Sequence, residues 1–192
     1  MTALATRPIS HPGRESVVEP GTMRQVLGHY PTGVSVVTAL GADQCPVGLT
    51  IGTFNSVSLD PPLVAFYPMR SSRSFTEIRT HGAFVVNVLG SRQDYYCRAF
   101  ARDRDERFAG IDWTPGRSGA PVLTAAAAWI DCTIERIEEA GDHYWVLGRV
   151  QALDIGTGEE PLVFFKGGYG RPSDLSDPRS RWHVDVDLPE ES

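Results

Sequence analysis

Cysteine is scarce in this chain of 192 residues. Cys45, Cys97 and Cys132 stand far apart, odd in number and without a C-x-x-C pair. A disulfide framework and a structural zinc site are therefore not expected, and a reducing compartment is the simpler setting. Histidine is nearly as sparse. His11, His29, His81, His143 and His183 form no i, i+4 pair, so no metal site is expected. Positive charge is not in excess either: Lys and Arg number 18 against 24 Asp and Glu, a formal net charge of −6. Nucleic acid needs a basic stripe to neutralise its phosphates and is not an expected partner. A small anionic ligand needs only local positive charge. Long apolar runs are also lacking. No stretch approaches the ~18 residues of a membrane span, and the N-terminus has no apolar signal core. The expectation is a cytoplasmic protein without membrane contact.

The familiar nucleotide-binding and hydrolase loops are missing as well. No G-x-G-x-x-G follows a strand, and no G-x-x-x-x-G-K-[ST] occurs. A nucleotide cofactor, if one binds, is held by other means. The G-x-S-x-G elbow of α/β-hydrolases is absent too.

What is present is ordinary for a globular domain: 41% hydrophobic and 22% charged residues. The length suits one domain that buries roughly 70% of its unfolded surface. Residues 1–20, with Pro8, Pro12 and Pro20, read as an N-terminal tail, and 172–192 as a C-terminal tail docked by Trp182. One domain is expected over 21–171.

Within it, Thr22 and Gln25 suggest a capping box opening a short helix with Met23, Val26, Leu27 and Tyr30 on one seam, stopped by Pro31. Strands are expected at 33–40, 47–51, 63–67 and 83–89, the first two as a hairpin. Ser74 and Glu77 suggest a second capping box, for a helix carrying Phe75 and Ile78 and closed by Gly82. A third helix is expected at 91–101, a charged turn at 103–108 and a loop at 111–120. Residues 125–137 alternate, with Ala128, Ile130, Cys132 and Ile134 on one face. After a turn at 138–142 the chain returns as 143–153, and a last strand covers 161–165. About seven strands and three helices result. Strand follows strand without regular helical crossovers, which points to an antiparallel barrel rather than a doubly wound parallel sheet.

Three segments suit a flat, anionic ligand. In 46–58, Gly48 and Gly52 permit close backbone approach, and Thr50, Thr53, Asn55 and Ser56 offer hydrogen bonds. The same pattern also describes an edge strand with one polar face. In Ser71-Ser72-Arg73-Ser74, hydroxyls, a guanidinium and a helix start favour a phosphate, although Ser74 with Glu77 also reads as plain capping. Gly141-Asp142-His143 reads as a hairpin turn, or as a turn that brings an imidazole to a reacting cofactor.

Taken in order, these stretches resemble the short-chain flavin reductase family, the reductase components of two-component flavin-dependent monooxygenases. The resemblance rests on Pro31-Thr-Gly-Val34, Val47-Gly-Leu-Thr50, Phe54-Asn-Ser-Val-Ser-Leu-Asp-Pro-Pro62, Ser71-Ser-Arg-Ser74 and Phe84-Val-Val-Asn-Val-Leu89. It continues through Phe100-Ala101, Arg107-Phe108, Gly119-Ala-Pro121, Gly141-Asp-His143 and Pro161-Leu162. Single motifs are weak; the ordered set, from about Met23 to Gly170, is specific. It implies a mainly β (α+β) fold, the FMN-binding split β-barrel, antiparallel and Greek-key-like with flanking short helices. It implies a homodimer with flavin near the subunit interface. The implied reaction passes hydride from nicotinamide C4 of NADH or NADPH to N5 of FMN or FAD, and the reduced flavin goes to a partner monooxygenase.

Carried over by position, flavin contacts fall at Pro46, Val47, Gly48, Leu49, Thr50, Gly52, Thr53, Tyr67, Pro68, Met69, Arg73, Ser74, Ala99 and Phe100. His143, Phe165 and Tyr169 fall on the nicotinamide side. Family members often carry Ser where Gly52 or Thr53 stands, which leaves the hydrogen bond at that spot open. Two other activities are compatible with such a barrel: a flavin carrier or sensor without turnover, and a pyridoxal-phosphate-type oxidase that needs no NAD(P)H.

Overall fold

The computed structural model describes residues 18–101, 106–157 and 159–172. The expectations for 1–17 and 173–192, Trp182 included, lie outside these. Helix α1 (Pro20–Leu27) starts earlier than the expected Thr22 cap. Proline's fixed φ is already helical and its missing N–H is no loss in the first turn, so Pro20 opens the helix, with Glu19 at the cap making no side-chain bond. Gly28 ends it rather than Pro31. Its expected apolar seam is not buried: Met23, Val26, Leu27 and Tyr30 are all exposed.

The valine-rich stretch expected as one strand divides into β1 (Thr32–Gly33) and β2 (Ser35–Leu40). Val34 between them bonds to Leu162 and Leu89 through its N–H and carbonyl. β3 (Pro46–Ile51) folds back on β2 as the expected hairpin, Ser35 opposite Ile51. β4 (Phe54–Ser58) pairs with β5 (Leu63–Phe66). β4 is the edge strand with one polar face that the sequence also allows for this segment; it is not among the expected apolar strands, because its hydroxyl and amide side chains lack an alternating apolar face and most of them are exposed. Helix α2 (Arg73–His81) closes as expected at Gly82, whose φ of 80° is the left-handed cap conformation.

β6 (Ala83–Val88) follows, then α3 (Asp94–Phe100), shorter than expected. β7 (Trp113–Pro115) and β8 (Pro121–Leu123) form a small ribbon in and beyond the expected loop. Their prolines, Pro115 and Pro121, face each other at the ribbon's turn end, where a missing N–H costs little. The long hairpin of β9 (Ala128–Ala140) and β10 (His143–Ile155) is tighter than expected. β9 runs on to Ala140, which pairs with His143, and Gly141 takes the positive φ (65°) of a two-residue turn. β11 (Val163–Phe165) and β12 (Gly168–Gly170) complete a three-stranded sheet with β1. Among the described residues no helix is long and apolar enough to cross a membrane.

The principal sheet has seven strands, all paired antiparallel, in the order β3-β2-β6-β9-β10-β5-β4. After β5 the chain returns through α2 to lay β6 beside β2, in the Greek-key manner. The two edge strands, β3 and β4, are neighbours in sequence. In a flat sheet of this width they would lie about 29 Å apart. The connection from Ile51 to Phe54 reaches at most about 11 Å. The sheet must therefore roll until its edges meet without pairing, which makes a split rather than a closed barrel, mainly β and antiparallel as the resemblance implied.

The roll encloses Phe66, Phe75 and Phe84, packed edge to face at 6.0 and 5.0 Å between ring centres. α2 plugs one end through Phe75 and Ile78. A second cluster, built on Val36, Leu89, Tyr96, Phe100 and Leu162, seats α3. Buried Asn87 ties β2, β6 and β8 together: its amide donates to the Val36 carbonyl and Thr38 Oγ1, and its oxygen accepts from Leu123 N–H at 2.8 Å.

Candidate functional site

A cleft of about 640 Å³ opens where β3, β5, α2 and α3 converge, a size in the usual range for a small-ligand site. β3 contributes Leu49, Thr50 and Ile51, and its exit contributes Thr53. Gly48 lies just behind, because a Cβ there would meet the Phe100 ring at 2.6 Å. Glycine thus lets that ring lie against the strand, and Phe108 holds it edge-on at 5.1 Å. Thr50 Oγ1 is buried on this wall with no partner among the described residues. A buried hydroxyl left unpaired costs free energy, so this position fits a ligand that supplies a hydrogen bond.

The opposite wall begins at the end of β5 with Tyr67, Pro68 and Met69, and continues into Ser71-Ser72-Arg73-Ser74. The helix cap sits two residues earlier than expected. Ser72 stands at the N-cap and its Oγ accepts from Phe75 N–H at 3.2 Å. Ser74 is instead a buried residue of the first turn. The competition between capping and ligand binding therefore falls on Ser72, and Ser74 is released from it. The Ser74 Oγ accepts a hydrogen bond from Arg107, whose Nη1 also donates to the Gly48 carbonyl at 3.1 Å. Two guanidinium groups, Arg73 and Arg107, and the positive end of α2 thus share one cleft, a setting that favours an anion.

His143 reaches this cleft from a distant part of the sequence because the β9–β10 turn is strapped to the segment after β5. Tyr144 N–H donates to the Pro68 carbonyl at 2.9 Å, Arg70 N–H donates to the Asp142 carbonyl at 3.0 Å, and Arg70 pairs with Glu139 at 3.1 Å. Met69 and His143 then face each other as an isolated bridge. The Asp142 carboxylate meets His143 Nδ1 at 2.7 Å. The ring's hydrogen bond, and secondarily its charge, holds the Asp142 carboxyl below its ordinary value. A carboxylate on Nδ1 leaves Nε2 as the ring atom available for a ligand.

Of the residues expected to meet flavin, Leu49, Thr50, Thr53, Tyr67, Pro68, Met69, Arg73, Ser74 and Phe100 line the cleft together with His143. Pro46, Val47, Gly48, Gly52 and Ala99 lie outside its lining: Val47 is in the core, Gly52 abuts Thr32 Oγ1, and Ala99 packs on the α3 cluster. Phe165 and Tyr169 line a separate cleft of about 450 Å³ with Arg171 and Pro31. The two clefts adjoin where Cys97 of the first lies near Tyr169 of the second. The neighbouring Cys97 thiol, then burial, pushes Tyr169 up to about 12. Burial pushes the Cys97 thiol up as well, so it stays protonated at neutral pH and is no nucleophile. Arg107 lines the cleft although the sequence places it in a solvated turn and outside the expected flavin contacts; its signal is Arg107-Phe108, one of the stretches that carry the family resemblance.

The cleft thus offers an apolar, glycine-backed wall for a flat ring, a hydroxyl and cation cluster for a phosphate, and an oriented imidazole. The profile of the family described as Flavin reductase like domain matches residues 27–173. Among curated proteins, the chain is 44% identical to a flavin reductase of Pseudomonas putida over 81% of this chain and 91% of that protein. It is 40% identical to the reductase subunit HsaB of a flavin-dependent monooxygenase from Rhodococcus jostii (strain RHA1), over 88% and 87% of the two chains. A solved structure of the NADH:FAD oxidoreductase SgcE6 of Streptomyces globisporus C-1027, in complex with NAD and FAD fragments, superposes with a TM-score of 0.76 at 35% identity, covering 84% of this chain and 99% of that one. A family match over most of the chain, joined to these identities, makes this chain a member of the flavin reductase like domain family.

Proposed function

We propose that this chain is an NAD(P)H:flavin oxidoreductase. It passes hydride from nicotinamide C4 of NADH or NADPH to N5 of free FMN or FAD and supplies the reduced flavin to a partner flavin-dependent monooxygenase. The observation that carries the proposal is the meeting of Thr50, the Ser71–Ser74 turn and His143, from three separate elements, in one cleft. The relatives named as flavin reductase and as monooxygenase reductase subunit support it. So does the complex of the Streptomyces enzyme with NAD and FAD fragments.

When bound, flavin supplies the hydride acceptor, and the protein's work is to hold and orient. β3 at Leu49 and Thr50, with Thr53 beyond it, presents backbone and hydroxyl groups to the ring's polar edge. Tyr67, Pro68, Met69 and Phe100 frame the ring. Arg73 and Ser74 hold the phosphate at the start of α2. His143, with Phe165 and Tyr169 from the adjoining cleft, positions the nicotinamide. Rate acceleration then comes mainly from proximity and orientation. Residues 21–171 form the working domain, between tails at 1–20 and 172–192. The protein works in the cytoplasm as a homodimer.

The test follows NADH and NADPH absorbance in mixtures of purified protein with FMN or FAD. Oxidation well above the free-flavin control is expected. No oxidation above that control with either nucleotide would sink the proposal. Retention of flavin through gel filtration without NAD(P)H consumption would favour a carrier or sensor instead.

A further inference from the structure

Arg107 touches both walls of the cleft at once. Its Nη1 donates to the Gly48 carbonyl on β3 at 3.1 Å and to Ser74 Oγ in the first turn of α2. β3 is the wall proposed to carry the flavin ring, and the start of α2 is the wall proposed to carry its phosphate. Arg107 itself arrives on neither element. It comes from the segment after α3, anchored beside it by Phe108 packed on Phe100.

The bond to Ser74 has a directional consequence. A serine hydroxyl has one O–H to give and lone pairs to receive. Arginine only donates, so Arg107 engages a Ser74 lone pair and leaves the proton to be given elsewhere. Ser74 is almost fully buried, does not cap the helix, and among the described residues no acceptor takes its O–H. Its hydroxyl is thereby set as a donor within a cleft that it helps to line beside Arg73. A phosphate is acceptor-only at its oxygens and suits that donor.

We infer that Arg107 is a positioning residue for the flavin phosphate. It fixes Ser74 as a hydrogen-bond donor to the phosphate and clamps β3 to α2, so that the ring and phosphate subsites keep one separation. The inference rests on the reading of this cleft as the flavin site, and it assigns the selectivity for phosphorylated flavin to a residue outside the Ser/Arg turn.

The experiment is equilibrium titration of the full chain with FMN and with riboflavin, which lacks the phosphate. It compares the wild type with R107A, R107K, S74A and R107A/S74A, with a thermal melt of each. R107A is expected to weaken FMN about 10- to 100-fold, the range of a lost charge-assisted hydrogen bond. Riboflavin should change by less than about threefold, within the cost of a neutral contact. R107K, which keeps charge without the fork, should fall between. On the S74A background, adding R107A should cost much less than it does alone, because both act on one bond. Equal losses of FMN and riboflavin would reduce Arg107 to scaffold and overturn the inference. So would full additivity with S74A. If R107A does not fold, the FMN-to-riboflavin ratio of R107K decides the matter in the same way. Wild-type protein that binds neither flavin would bring down the reading of the cleft itself. Wild type that binds FMN, with the ratio unchanged in the variants, would bring down only the role of Arg107.

Discussion

Gly48 shows how one missing methyl shapes this cleft. Its ideal Cβ would sit 2.6 Å from Phe100 Cε1 and 3.2 Å from the Val37 carbonyl. The ring cannot simply swing away, because Phe108 holds it from the side. Gly48→Ala should therefore lower stability by about 1–3 kcal/mol, the usual cost of overpacking, read as a shifted denaturation midpoint at constant slope. It should also weaken flavin, since Phe100 lines the cleft. His143 poses the complementary case. Its ring is oriented by Asp142 at 2.7 Å but is not part of the core. His143→Ala should leave the melting temperature and the FMN affinity near wild type and cut NADH turnover by about tenfold or more, a cost in the range of lost substrate positioning. Steady-state kinetics beside a flavin titration checks both halves. Unaltered turnover would return His143 to the status of a turn residue.

At the scale of elements, α2 takes its cap from a different serine than the one the sequence favours. Ser72 caps the helix through Phe75 N–H, whereas Ser74 takes its bond from Arg107. Ser72→Ala should cost about 1 kcal/mol of stability through the lost cap, measurable by chemical denaturation. A cost near zero would mean the cap contributes nothing. The sequence favoured Ser74 because Glu77 follows it at capping-box spacing, and that pattern counts spacing without knowing where the helix begins. Other elements were legible for plain physical reasons. β9 and β10 show through alternation and β-branched residues, and Gly82 shows as a C-cap. β4 was legible only as one of two readings, because an edge strand with solvent on most of its side chains has no apolar period to display. The cleft was half legible. Residues adjacent in sequence, such as Thr50 or Arg73, could be marked from local chemistry. Arg107 and the strap from Arg70 to the β9–β10 turn depend on contacts between distant segments that no local pattern encodes.

At the scale of the whole molecule, rolling the sheet buries its concave face but leaves α1 outside. No residue of α1 is buried, and Leu27 and Tyr30 are exposed at its end. The Gly28 carbonyl accepts from Lys166 N–H at 3.1 Å, which sets the end of α1 beside the β11–β12 turn. There Phe164, Phe165 and Tyr169 are also exposed. An exposed apolar helix seam that ends beside a turn with exposed aromatics suits a protein–protein contact. If the proposed homodimer forms, this face, next to the cleft that holds Tyr169, is the surface it would use. Leu27→Asp should then convert the dimer to a monomer in light scattering after gel filtration, because a carboxylate buried at an apolar interface lacks a partner. Its far-ultraviolet circular dichroism should not change, since Leu27 supports no part of the core. A variant that stays dimeric would move the interface elsewhere. A wild type that is monomeric at micromolar concentration would remove the dimer from the proposal while leaving the flavin cleft, built within one chain, intact.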